Sequence, residues 1–195
     1  MVETRRQQIE DAASVLFRER GYAATSVRDI AQALNLQGGS LYAHVASKED
    51  VLWAIVRRAA DRFQAAVGPI AEEASPAPER LGRMVHAHAR VVTDDLGNAT
   101  VFLHEWRFLG DRRRAEIAER RDAYEALFRR VIADGRATGA FRTDDPKLAA
   151  TLILSALNGI AGWYRPGGPL TADDVAAHYA ELFTRALAPH GGTDR

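Results

Sequence analysis

Residues 25–52, reading TSVRDIAQALNLQGGSLYAHVASKEDVL, constrain the fold of this chain more than any other stretch. Two short helical patterns stand on either side of a tight polar break there, and a third pattern begins immediately afterwards. Ser26 and Asp29 have the spacing of a capping box, and Ile30, Ala31 and Leu34 form the inner face of the helix it opens. That helix ends near Asn35. A short helix over about 38–44 buries Leu41 and Val45, and Ser40, Tyr42 and His44 point elsewhere. Ser47 caps the next helix, with Glu49 and Asp50 in the first turn, where the helix dipole favours them.

The rest of the chain continues in the same period. Ile9, Ala12, Ala13, Leu16 and Phe17 fall at i, i+3, i+4, i+7 and i+8, which predicts a helix over 3–20 stopped by Gly21. The helix opened by Ser47 carries Val51, Leu52, Ile55, Val56, Ala59, Phe63, Ala66 and Val67 on one face. GPIAEEASPAP at 68–78 reads as a loop between two domains. Further helices are expected at about 79–95, 98–109, 112–136, 145–164 and 172–187. Alternation of the strand type is missing, so the class is all-α, with about nine helices. The expected division is a three-helix helix-turn-helix domain over 1–47 and a helical effector-binding and dimerisation domain over 48–195.

A 195-residue chain that is 47% hydrophobic and 27% charged can build a substantial core. No apolar run approaches the roughly 18 residues that span a bilayer, and a cytoplasmic location is expected. Cysteine is absent, which excludes disulfides and thiol catalysis. Residues 1–50 hold six Lys or Arg against seven Asp or Glu, so bulk charge does not announce a nucleic-acid partner. Phosphate contacts would fall to a few cations and to backbone N–H groups at helix starts.

QGGSLYAH at 37–44 nevertheless suits a DNA groove. It is short enough to lie in a major groove about 12 Å wide, and its first turn is small or polar, so the backbone can come close to the base edges. Gly38 and Gly39 each weaken a helix by roughly 1 kcal/mol relative to Ala, a choice that stability alone does not explain.

Residues 5–56 resemble the N-terminal domain of the TetR family of bacterial transcriptional regulators. The matching motifs are F-x-x-x-G-Y-x-x-T-S-V-x-x-I-A from Phe17, G-S-L-Y-x-H-V from Gly39 and K-E-D-V-L from Lys48. The resemblance implies a homodimer that reads a palindromic operator in double-stranded DNA, with a C-terminal helical domain that binds a small ligand. Carried over by position, Thr25, Tyr42 and Lys48 contact phosphates, while Arg28, Gln37, Ser40 and His44 reach base edges. Gly38 and Gly39 contribute close approach without side-chain readout.

In the C-terminal half, aromatic and polar residues gather on apolar faces: Phe102 and Trp106, then Tyr124 and Phe128, then Asn158 and Trp163. An amide such as Asn158 inside an apolar helix needs partners, and a polar ligand is one candidate. Arginines at 112–114, 120–121 and 129–130 read as a solvated face paired with acids, whereas Arg107 and Arg165 stand beside the aromatics and suit an anionic ligand. His86 and His88 lie two apart, on different helix faces, and do not suit a shared metal.

H-E-W-R at 104–107, R-x-x-Y at 121–124, G-x-F-R at 139–142 and LNGIAGWYRPGGPLT at 157–171 resemble the acyl-CoA-sensing TetR regulators of fatty-acid, aromatic-acid and steroid breakdown. This implies an acyl-CoA effector, no bound cofactor, and dimerisation through the last two helices, with Leu148, Leu152, Ala156, Val175, Tyr179 and Leu182 in the interface. Release of the operator would follow when the ligand moves the helix that starts at Lys48. No G-x-S-x-G, H-E-x-x-H, phosphate loop or EF-hand pattern is present, so the chain reads as a non-enzyme. Alternative readings are a drug-responsive repressor of an efflux gene, a helical binding protein without DNA contact, and a thioester enzyme.

Overall fold

The computed structural model describes residues 4–36 and 41–189. Among them are eight α-helices and one 3-10 turn, without strands: α1 (Arg5–Arg20), α2 (Val27–Ala33), α3 (Lys48–Ala71), α4 (Ala77–Asp94), α5 (Leu96–His104), the 3-10 turn Trp106–Phe108, α6 (Asp111–Ala137), α7 (Pro146–Trp163) and α8 (Ala172–Leu187). The all-α expectation is met. Of the predicted helix over 38–44, residues 38–40 lie outside the described residues; the remainder shows a helical turn, with Val45 N–H donating to the Leu41 carbonyl at 3.2 Å.

Local chemistry sets most helix starts. Thr4 and Gln7, Ser26 and Asp29, and Thr171 and Asp174 each form a reciprocal capping box at α1, α2 and α8. Asp145 accepts from the N–H groups of Lys147 and Leu148 ahead of Pro146, a residue suited to a first helical turn. Gly21, at φ 80°, ends α1 in a backbone region that disfavours other residues.

Two predicted boundaries move. α3 runs on through Pro69 to Ala71, where a loop is expected, because Val67 and Ala71 are buried on its inner face and the Pro69 ring points outward. Burial there outweighs the hydrogen bond that proline removes. The helix expected over 98–109 breaks at Glu105, whose carboxylate accepts the Tyr22 backbone N–H at 3.0 Å.

The chain forms two compact units, Met1–Arg62 with Asp95–Arg120, and Phe63–Asp94 with Arg121–Arg195. The division falls within α3 after Arg62 and within α6 after Arg120. In the first unit, Ile9, Phe17, Ile30, Leu41, Leu52 and Ile55 pack a dry core. Buried Glu10 is held there by Arg58 at 3.3 Å and Arg6 at 3.1 Å. In the second, Leu81, Met84, Phe128, Val131, Ile132, Leu157 and Ile160 do the same.

Gly135 lies tight against Phe141 in the second unit. A Cβ there would stand 2.1 Å from the ring of Phe141, which is 3% exposed and whose N–H reaches back to the Gly135 carbonyl at 3.0 Å. Gly135→Ala gains about 1 kcal/mol of helix propensity. Displacing a packed ring costs more, so a net destabilisation of about 1–3 kcal/mol is expected, read as a lower denaturant midpoint at unchanged slope. An unchanged or higher midpoint would show that the ring relocates freely.

Candidate functional site

The helix-turn-helix segment presents its polar residues as the sequence suggests. Leu41 and Val45 are buried at 0% and 5% exposure, which turns Tyr42 outward at 58% exposure, with His44 also exposed. Arg28 projects from α2 into an open hollow of about 350 Å³ lined by Arg28, Ala31, Gln32, Asn35 and Leu36. Gln37, Gly38, Gly39 and Ser40 lie outside the described residues.

Thr25 and Lys48 are placed differently from a plain phosphate contact. Thr25 is 2% exposed and its hydroxyl donates to the Gly21 carbonyl at 2.9 Å. Lys48 donates to the carbonyls of Tyr22 and Thr25 at 2.9 and 2.8 Å, with its ammonium 4.1 Å from the centre of the Tyr22 ring. Both tie the end of α1 and the start of α2 to the start of α3, and so fix the angle at which residues 41–45 are presented. Tyr22 stacks on Phe108 and meets Phe17 edge-on. Burial, with help from the Glu49 charge, holds the Tyr22 hydroxyl above the usual phenol range.

The neutral charge balance of this region has a structural cause. Five of its acids are taken up internally: Glu10 and Asp11 by Arg58, Asp29 by the Ser26 cap, and Glu49 and Asp50 by Arg113. Hydrogen bonding from Arg113 keeps the Asp50 carboxyl below the usual range, and bonding from Ser26 does the same for Asp29. Arg18, Arg20 and Arg28 make no salt bridge with any described residue. Exposed Arg18, Arg20 and Arg28 are thus left without an ion pair among the described residues, although the formal charge over the sequence sums to zero.

The predicted ligand residues divide between the units. Phe102 is buried at 8% exposure in the first unit, and Arg107 stacks its guanidinium 5.5 Å from the Trp106 ring. In the second unit Tyr124 and Phe128 pack with centroids 5.7 Å apart, and both surround a residue not predicted for the site, His88. Phe63 completes the enclosure at 4.8 Å from the imidazole.

His88 Nδ1 lies 2.9 Å from the Tyr124 hydroxyl. Asn158 bears on the same ring as a hydrogen-bonding group that favours protonation, but burial dominates and pushes His88 down to about 3, with the charge of Arg121 acting in the same direction. Burial also holds the Tyr124 hydroxyl well above the usual phenol range. Both groups are neutral at physiological pH.

Trp163 and Arg165 are not part of this enclosure as observed. Trp163 is 44% exposed and stacks 6.5 Å from Tyr179, while exposed Arg165 donates to the Tyr164 carbonyl. The helical arginines pair with acids: Arg114 with Asp111, Arg120 with Asp61 and Arg130 with Glu72. No group of three or more metal-ligating side chains occurs among the described residues.

Sequence reasoning missed His88, Gln32 and Asn35. The signal for His88 was its register with Leu81, Met84, Val85 and Val92 on the buried face of α4, which makes it an inward residue irrespective of His86. Gln32 follows Arg28 by one helical turn.

Residues 9–55 match the family described as bacterial regulatory proteins, tetR family, and residues 74–187 match the tetracyclin repressor-like C-terminal domain. The chain is 31% identical to the HTH-type transcriptional repressor KstR2 of Mycobacterium tuberculosis strain H37Rv, covering 97% of this chain and 96% of that one. The solved structure of the ketosteroid transcriptional regulator KstR2 of M. tuberculosis superposes with a TM-score of 0.91 at 30% identity, covering 97% and 98% of the two chains. AibR, solved in complex with isovaleryl coenzyme A and operator DNA, gives a TM-score of 0.83 at 28% identity, covering 95% and 99%.

Proposed function

The chain belongs to the TetR family of bacterial regulatory proteins, and we propose that it is a homodimeric repressor that holds a palindromic operator and is released by an acyl-CoA thioester. On this reading residues 1–47 read DNA, residues 48–195 sense the effector and dimerise, and the chain carries out no catalysis. The observation that carries the DNA reading is the outward aim of Tyr42 and His44 over the buried Leu41 and Val45, with Arg28 exposed on α2. Thr25 and Lys48 set its angle from within. Two such units, held about 34–36 Å apart by the dimer, would fit successive major grooves on one side of a duplex.

The acyl-CoA assignment draws support from the likeness to AibR, solved with isovaleryl coenzyme A and operator DNA, and to KstR2, a repressor by name. It also draws support from Tyr124, Phe128 and Asn158, whose apolar and neutral polar character suits an acyl group. Phe102, Trp106, Arg107, Trp163 and Arg165 remain the candidates for the remainder of the effector, the arginines for its phosphates. On this reading the ligand acts by moving α3, which contributes residues to both compact units.

Titrating the protein onto its upstream DNA with and without saturating isovaleryl-, decanoyl- or palmitoyl-CoA tests the proposal. At least one of these is expected to weaken operator binding by roughly 5- to 150-fold, the usual range for a coupling of this kind. Equal affinity in every case, together with release by a cationic drug, would assign the effector to the other class.

A further inference from the structure

The enclosure around His88 carries an unused hydrogen bond. His88 is 2% exposed and its Nε2 makes no hydrogen bond, although Nδ1 is satisfied by Tyr124. Asn158 favours ring protonation, yet no group of the chain meets Nε2 in hydrogen-bonding geometry. Buried polar atoms are rarely left so, and an orphan at the centre of an aromatic shell calls for a partner that the chain does not provide.

Counting donors fixes what that partner must be. If Nδ1–H donated to the Tyr124 oxygen, the phenol proton and Nε2 would both be left over. If the Tyr124 hydroxyl donates to Nδ1, the proton resides on Nε2 and one donor alone remains. The second arrangement leaves fewer groups unpaired and makes the orphan an N–H. A ring held neutral by burial suits an uncharged acceptor, since a buried carboxylate would require a cation to pair with it.

We propose that His88 Nε2–H is the specificity-determining donor of the effector site and donates to the thioester carbonyl oxygen of the acyl-CoA, with Tyr124 fixing the tautomer and Phe63 and Phe128 packing the first carbons of the chain. The proposal rests on the acyl-CoA reading above and adds the atom that recognises the thioester. Unlike Trp163 or Arg165, His88 is held at Nδ1 by Tyr124 and against the rings of Phe63 and Phe128 before any ligand arrives.

The test compares two ligands that differ only in this carbonyl. For the tightest of isovaleryl-, decanoyl- and palmitoyl-CoA, calorimetry on the full-length protein is expected to give roughly tenfold weaker binding of the matching S-alkyl-CoA thioether, which lacks the oxygen. His88→Phe should bind thioester and thioether equally, and Tyr124→Phe should narrow the gap. Should His88→Phe not fold, imidazole nitrogen NMR on the unsubstituted protein provides the second readout: a protonated Nε2 whose proton shifts downfield with the thioester and not with the thioether. Equal binding of both ligands by the unsubstituted protein, a preference that persists in folded His88→Phe, or an Nδ1–H tautomer each overturns the proposal while leaving the acyl-CoA reading intact. Failure of every acyl-CoA to bind would instead overturn that reading, and this proposal with it.

Discussion

Replacing Leu152 and Leu182 with arginine is expected to give monomers and to weaken operator binding at least about a hundredfold. Leu148, Leu152 and Leu182 are 57%, 61% and 60% exposed, although α7 and α8 already bury Ile153, Leu157, Ile160, Val175 and Ala176 on their other sides. Helices that are apolar beyond the face they bury within one protomer present a surface fit for a partner, and a second copy of the same pair would complete a four-helix bundle. Burying a leucine contributes about 1.5–3 kcal/mol, and a two-fold interface counts each position twice. Arginine forfeits that burial and adds a charge to desolvate.

Operator affinity then falls because a palindrome read by one protomer loses the second, intramolecular binding event. Neither leucine contributes to the protomer core, so helical content should be retained. Sedimentation and anisotropy on the same preparation decide the matter: a double variant that stays dimeric and binds the operator unchanged places the interface elsewhere. Val175, expected in that interface from its spacing, is corrected by its position at 2% exposure inside the protomer, and Tyr179 is half-covered by Trp163.

Arg28→Ala is expected to cost each half-site about 1–3 kcal/mol, the value of one good bidentate base contact, and the dimer roughly thirtyfold or more in operator affinity. Arg28 is exposed, borders the hollow with Gln32 and Asn35, and has no salt bridge among the described residues to relinquish first. Arg28→Lys should not restore binding, because an ammonium lacks the planar fork that meets guanine O6 and N7 together. If the alanine variant loses equally on random duplex, Arg28 holds phosphate and the base assignment fails. Lys48→Ala offers a contrast. Its ammonium joins α3 to the carbonyls of Tyr22 and Thr25, so thermal stability of the variant should fall together with DNA binding.

The parts of this protein that were legible in its sequence are those in which cause and consequence lie within a helical turn. Helix period, the Ser26–Asp29 box, the Ser47 cap whose hydroxyl oxygen accepts from Asp50 N–H at 3.1 Å, and the outward aim of Tyr42 over Leu41 and Val45 all follow from neighbours three or four residues apart. The motif from Phe17 to Leu52 was legible for the same reason, since the helix-turn-helix is a local structure.

Tertiary packing alone decided the rest. It carried α3 past Pro69, brought Glu105 to the Tyr22 N–H across 83 positions, turned Thr25 and Lys48 inward, and set Tyr124 against His88 across 36. Period assigns a residue to a face but not to a partner. Partners far apart in sequence are chosen by which faces pack together, and that choice is made by the burial of the whole core rather than by any single turn.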